Sequence, residues 1–192
     1  MGIGQVIALG KAAVFFDRDG VLNHAVVREG KPYPPKDLSE FEIVDRARED
    51  LLLLKEKGFV LVVVTNQPDI ARGTQTQREV DAMNELLRRE LPLDDVLVCP
   101  HDTNDRCNCR KPSPGLLHSA AGRHGLDLQK SFLIGDRWRD IDAGHAAGCT
   151  TILIDCGYQE HGPIKEPALR VRSLGEAVTF ITSRKLARAA AN

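Results

Sequence analysis

Asp17 and Asp19, separated by a single arginine in VFFDRDGVLN, directly follow the apolar run Val14, Phe15 and Phe16. Asp and Gly are ordinary turn residues. Carboxylates two positions apart at a strand end, however, can point to one side and share a cation or a proton transfer. Three later stretches offer complementary groups: the hydroxyl and amide of Thr65 and Asn66, Lys111 in RKPSPG, and Asp136 with Asp140 in GDRWRD. Together they make a set suited to phosphoryl transfer. A carboxylate can attack phosphorus and divide hydrolysis into two easier steps. It meets an anion, so a divalent cation and fixed donors must offset the repulsion. Asp17, Asp136 and the backbone carbonyl of Asp19 could supply oxygens to Mg²⁺, which takes few protein ligands and keeps several waters. Thr65, Asn66 and Lys111 would bind the phosphoryl oxygens.

A different chemistry belongs to CPHDTNDRCNC, which spaces Cys99, His101, Cys107 and Cys109 as C-x-H, five residues, C-x-C. Four nitrogen and sulfur ligands suit tetrahedral Zn²⁺ and leave no position open for substrate, so the expected site is structural. It directly precedes Arg110 and Lys111 and would steady the loop that delivers them. Five cysteines are an odd number, which fits a reducing compartment rather than a disulfide framework. Cys149 and Cys156 bracket TTILID, whose extended length of about 20 Å keeps them from pairing.

These groups need strands and helices to hold them. Beside the run at 14–16, apolar segments at 59–65, 95–99, 131–136 and 150–155 read as strands buried on both faces. Helical spacing over 45–57 places Ala47, Leu51 and Leu54 on one face and ends at Gly58. Residues 76–91 open with a Thr76–Glu79 capping box and continue through Val80, Met83, Leu86 and Leu87. Further helices are expected over 114–124, over 137–147 ahead of Gly148, and from Leu174 towards Ala189, the alanine-rich end fraying. Alternating strand and helix predicts an α/β fold, a doubly wound and mostly parallel sheet over a single domain spanning 1–192, without a large cap domain. Such sheets bind ligands at the carboxyl ends of their strands, where the polar groups above fall. The proline-containing stretch 24–44 is expected to be an extended loop or small flap over the site.

The bulk composition excludes several alternatives. At 192 residues and 42% hydrophobic content the chain can bury a core and act as an enzyme by itself. Lys and Arg number 26 against 27 Asp and Glu, so no global basic field points to nucleic acid or membrane. Nine aromatics without basic interleaving argue against a nucleic-acid end phosphatase. No stretch approaches a membrane-spanning length or a secretory signal, and a cytoplasmic protein is expected. GIGQVIALGK is not a phosphate loop, because Gln5 and Ala12 occupy positions where glycine and a hydroxyl residue are required. It is expected to be a mobile arm or strand lead-in.

DRDGVLN, TNQ, RKPSPG and GDRWRDIDAG resemble the four ordered motifs of the haloacid dehalogenase superfamily of aspartate-nucleophile phosphatases, over about residues 14–155. The resemblance implies that Asp17 becomes the aspartyl-phosphate and that Asp19 serves as general acid and then base. It implies that Thr65 and Lys111 stabilise the phosphoryl group and that Asp136 binds Mg²⁺ with Asp17 and Asp19, while Asp140 lies in an outer shell. Asn66, Gln67, Arg110 and Arg137 complete the expected substrate-binding set. Within the superfamily, a zinc loop before RKP is similar to two branches, the heptose bisphosphate phosphatases and the histidinol-phosphatases. Pro68 and Asp69, and the shortness of the zinc loop, depart from the heptose pattern. Arg110, Arg137, Arg72 and Arg28 are available for a second phosphate, which favours removal of the 7-phosphate of D-glycero-D-manno-heptose 1,7-bisphosphate over histidinol phosphate. A non-catalytic zinc-stabilised binding module is the alternative from another class. The expected partner is a small sugar phosphate, neither nucleic acid nor membrane, with the oligomeric state open and a monomer as the working expectation.

Overall fold

The computed structural model describes residues 10–190; residues 1–9, most of the stretch expected to be an arm, lie outside them. In chain order the elements are β1 (Ala13–Phe16), β2 (Val26–Arg28), β3 (Lys31–Tyr33), α1 (Ala47–Glu56), β4 (Val60–Asn66), α2 (Gln77–Glu90) and β5 (Asp95–Cys99). They continue with α3 (Gly115–His124), β6 (Phe132–Gly135), α4 (Trp138–Ala147), β7 (Thr150–Ile154), β8 (Leu169–Val171) and α5 (Leu174–Ala190). Six strands form a parallel sheet in the order β5-β4-β1-β6-β7-β8. The first strand is therefore central, with Phe16 paired to Val63 on one side and Ile134 on the other. β4 and β5 add on one side of β1 and β6, β7 and β8 on the other, so the connections diverge here and open a crevice at the carboxyl edge.

Strand alternation distributes the apolar side chains to two cores. Val14, Phe16, Leu61, Val63 and Ile134 pack with Leu51 and Leu54 of α1, Met83 and Leu87 of α2, and Ile181 of α5. Ala13, Phe15, Val62, Val64 and Leu133 pack on the opposite face with Leu116, Leu117 and Ala120 of α3 and Ala143 of α4. Each fully buried Leu or Phe contributes roughly 1.5–3 kcal/mol. Covering both faces explains why the central strands read as unbroken apolar runs.

Local chemistry sets the helix ends. Thr76 Oγ1 accepts from Glu79 N at 3.2 Å while the Glu79 carboxylate accepts from Thr76 N at 2.7 Å, the reciprocal cap expected from TQRE. Gly148 closes α4 with φ of 82°, a conformation that favours glycine. Two pieces of structure are absent from the sequence expectations. The strand β8 has only three residues, with exposed Arg170 in the middle, and carries no apolar run to mark it. Residues 26–33 form an antiparallel hairpin rather than a plain extended loop, although Pro32 within β3 weakens its strand pattern. Among the described residues, no helix is long and apolar enough to cross a membrane.

Candidate active site

Asp17 just after β1, Thr65 near the end of β4, Lys111 beyond the cysteine loop that follows β5, and Asp136 just after β6 meet at the carboxyl edge, joined by Asp140 from α4. Asp17 follows β1, and its backbone N–H still donates to Ile134 O at 2.9 Å, so the sheet itself fixes the start of this loop. Lys111 Nζ lies 2.9 Å from Asp17 Oδ1 and 2.5 Å from Asp140 Oδ1, with the lysine side chain only 3% exposed. Burial would lower the pKa of this ammonium, but Asp140 and Asp17 more than offset it and the net shift is upward. Burial pushes Asp17 up, Lys111 opposes the shift, and Asp140 and Asp19 add to it, so the carboxyl is raised to about 6. Asp136 is raised well above the usual carboxylate range by burial and then by Asp17 and Asp140.

This is a carboxylate cluster short of positive charge. One oxygen from each of Asp17, Asp136 and Asp140 lies within 4.8 Å of the others, near enough to hold one cation. Their remaining commitments differ. Asp140 Oδ1 pairs with Lys111 and Oδ2 accepts from Arg137 N at 3.1 Å. Both Asp136 oxygens are buried without a well-formed hydrogen bond, although the Tyr158 phenol stands close by. Two oxygen acceptors left open beside Asp17 suit a hard cation such as Mg²⁺. Asp140, expected to stand farther out, belongs to the cluster, with Oδ1 ion-paired to Lys111 and only Oδ2 accepting a hydrogen bond. Glycine is required at two positions around this floor. A Cβ on Gly20, whose φ is +88°, would collide with Asp136 Oδ2, and one on Gly135 would collide with the Asp140 side chain.

Asp19 has a different environment. Its carboxylate receives Nε and a terminal nitrogen of Arg18 at 3.1 and 3.0 Å, Asn23 Nδ2 at 3.0 Å and Gln67 Nε2 at 2.8 Å. Arg18 is completely buried and also donates to Asn84 Oδ1 at 3.2 Å, so this fork is anchored through α2. Gln67 was expected to touch substrate, but it is fully buried and does not line the cavity. Its amide joins Asp19 to Thr65, whose Oγ1 accepts from Nε2 at 2.9 Å. β4 ends at Asn66, so Gln67 lies past the strand, where the regular alternation no longer sets its direction, and its side chain turns in behind Thr65. Asn66 borders the cavity but its amide clamps the Lys111 backbone, donating to Lys111 O and accepting from Lys111 N, both at 3.0 Å.

Above these groups is a cavity of about 330 Å³ bordered by Asp17, Asp19, Thr65, Lys111 and Asp136. The hairpin forms one wall through Lys31, Pro32 and Tyr33, so the stretch expected as a flap stands over the site. Arg72, Arg110 and Arg137 also border it, as does Arg139, which the sequence expectations omitted. Arg139 was detectable in GDRWRD as a third residue after Asp136, in the first turn of α4. Arg28 is not on the cavity wall; its guanidinium lies 5.8 Å from the Tyr33 ring centre.

Cys99, His101, Cys107 and Cys109 converge at the end of β5, their ligand atoms all within 4.8 Å of one another. Cys99 Sγ is 3.7 Å from both His101 Nδ1 and Cys107 Sγ, and Cys109 Sγ is 3.0 Å from Cys99 Sγ. Tetrahedral Zn²⁺ with bonds of about 2.3 Å separates sulfurs by about 3.8 Å, so this donor set could bind zinc with little adjustment. The loop is tied to the active site because Arg110 donates to His101 O at 3.2 Å. All five cysteines are free, including Cys149 and Cys156 at either side of β7.

Residues 108–177 match the family described as HAD-hydrolase-like, HAD standing for haloacid dehalogenase. The chain is 36% identical over 160 residues to the D-glycero-beta-D-manno-heptose-1,7-bisphosphate 7-phosphatase of Escherichia coli (strain K12), covering 76% of this chain and 80% of that protein. Among solved structures it is similar to a D,D-heptose 1,7-bisphosphate phosphatase from B. bronchiseptica complexed with magnesium and phosphate. That likeness has a TM-score of 0.78 at 26% identity, over 90% of this chain and 99% of that one. A putative HAD-like phosphatase from Mesorhizobium loti matches with a TM-score of 0.71 at 31% identity, over 95% and 91% of the two chains. The chain belongs to the haloacid dehalogenase superfamily of hydrolases, and it is a phosphatase.

Proposed function

We propose that this phosphatase removes the 7-phosphate of D-glycero-D-manno-heptose 1,7-bisphosphate through an aspartyl-phosphate on Asp17. The observation that carries the mechanism is the placement of Asp17 on the cavity floor beside Lys111 and Asp136. The substrate's phosphorus is attacked by a carboxylate oxygen of Asp17, the ester P–O bond breaks, and the leaving alkoxide takes a proton from Asp19. Water then attacks the phosphorus, Asp19 accepts its proton, and the bond to Asp17 breaks to release phosphate. Thr65 and Lys111 hold the phosphoryl oxygens, while Asn66 fixes the Lys111 backbone. Mg²⁺ would be held by Asp17, Asp136 and the Asp19 backbone carbonyl, and would supply charge neutralisation between nucleophile and phosphate. Zn²⁺ would be held by Cys99, His101, Cys107 and Cys109, keeping Arg110 and Lys111 in register.

The choice of a sugar bisphosphate is supported by the cationic wall and by the names of the similar proteins. A histidinol phosphate brings a cationic amine, which Arg110 and Arg139, the two wall arginines not fully paired with carboxylates, oppose. One catalytic domain over residues 1–192, acting in the cytoplasm on a small soluble substrate, completes this function; five free cysteines agree with a reducing compartment. The test is a phosphate-release panel in Mg²⁺ containing the heptose bisphosphate, histidinol phosphate and simple sugar monophosphates. The bisphosphate should have the highest kcat/KM and lose its 7-phosphate, as read by phosphorus NMR. A preference for histidinol phosphate would reject the substrate assignment. Asp17→Asn should fold and be inactive, and turnover by the purified variant would reject the nucleophile.

A further inference from the structure

The four arginines around the cavity differ in what already holds them. Arg72 places two nitrogens on Asp102, each at 2.7 Å, and a third on Asp69 at 3.1 Å. Arg137 is forked onto both oxygens of Glu160, with Nε to Oε2 at 2.9 Å. Arg110 is partly committed, donating to His101 O at 3.2 Å and standing 3.8 Å from Asp102. Arg139 has no carboxylate within ion-pair distance among the described residues. Its guanidinium lies instead 4.8 Å from the centre of the Trp138 ring, which packs against His161 at an interplanar tilt of 40° with ring centres 4.1 Å apart. Lys31, the other cavity cation without a carboxylate, is exposed on the hairpin.

This arrangement favours an anion beside Arg139. Burial, then the positive charges of Arg137 and Arg110, holds its guanidinium below its ordinary pKa, so the local excess of cations opposes its charge. A stacked, partly desolvated guanidinium also loses little freedom when its planar fork engages phosphate. Building on the bisphosphate assignment above, we propose that Arg139, steadied by Trp138 and assisted by Arg110, reads the phosphate that is not transferred, while Glu160 neutralises Arg137 and keeps it from that role. Glu160 and Arg139 are thus specificity-determining residues. Arg137 serves mainly to tie the start of α4 to the segment carrying Glu160. That segment also meets the hairpin, since Gln159 N donates to Gly30 O at 3.1 Å.

The test compares kcat/KM of the wild type, Arg139→Gln and Arg137→Gln on heptose 1,7-bisphosphate and on the corresponding 7-monophosphate. The loss caused by Arg139→Gln should be at least tenfold larger on the bisphosphate and should exceed the differential loss in Arg137→Gln. Arg139→Lys should recover part of the discrimination by restoring charge, a recovery that a purely packing role would not produce. Equal losses on both substrates in Arg139→Gln, or a larger differential in Arg137→Gln, would overturn the inference while leaving the bisphosphate assignment intact. A wild type with no preference for the bisphosphate over the monophosphate would overturn both together. As a second reading, calorimetric titration of the inactive Asp17→Asn protein with the bisphosphate should show Kd raised at least tenfold by adding Arg139→Gln. An unchanged Kd would also overturn the inference.

Discussion

The ammonium of Lys111 stands 2.9 Å from Oδ1 of Asp17, and no other lysine or arginine among the described residues forms an ion pair with that carboxylate. The same ammonium contacts Asp140, so one buried cation offsets repulsion within a cluster of three carboxylates. Lys111→Met should therefore have two effects. Turnover should fall about 10²–10³-fold through loss of a charged donor to the transferring phosphate. Without Mg²⁺, stability should fall by about 3–5 kcal/mol because the remaining buried charges lose their partner. Steady-state kinetics and urea unfolding in EDTA measure the two, and a variant as stable as wild type would dismiss the charge-balance account.

Gln67 acts from behind the cavity wall by joining Asp19 to Thr65. Gln67→Ala is expected to lower kcat several-fold with little change in KM, because it removes one of the four hydrogen bonds that position the acid–base carboxylate without removing a substrate contact. Loss of these buried hydrogen bonds should cost about 1–3 kcal/mol of stability. A rise in KM at constant kcat would instead place Gln67 against substrate.

At Gly20, a methyl group would enter the space of Asp136 Oδ2 at a backbone φ of +88°. Gly20→Ala should raise the Mg²⁺ concentration needed for half-maximal activity and destabilise the fold by about 1–3 kcal/mol. A metal titration of activity, with thermal unfolding alongside, checks this. An unaltered Mg²⁺ requirement would show that Asp136 does not need its present position to bind the ion.

Protein purified without chelator should contain about one zinc per chain, a stoichiometry that elemental analysis can measure. Cys109→Ser should lose that zinc and much of its phosphatase activity, because Arg110 and Lys111 follow the cluster directly. Asp17→Asn should keep its zinc while losing activity. Zinc-free wild-type protein with full activity would remove the structural-site assignment.

The chemistry-bearing residues were legible because each stands in a local pattern: Asp17 after a hydrophobic strand, Thr65 at the next strand end, Lys111 after the cysteine loop and Asp136 before a helix. Alternating apolar strands and amphipathic helices likewise determined a parallel sheet covered on both faces, since backbone periodicity decides which side chains can be buried together. Residues whose placement depends on distant partners were not legible. Gln67 looked like a neighbour of substrate, yet it folds back to Asp19, 48 positions away in sequence. Arg137 and Arg139 look alike as charges in GDRWRD, but Glu160 engages one while Trp138 stacks on the other. Sequence thus determined the type and order of the reactive groups through local pattern. Only the tertiary structure decided which charges were neutralised and which remained available in the cavity, because ion pairing depends on through-space distance and desolvation rather than on position along the chain.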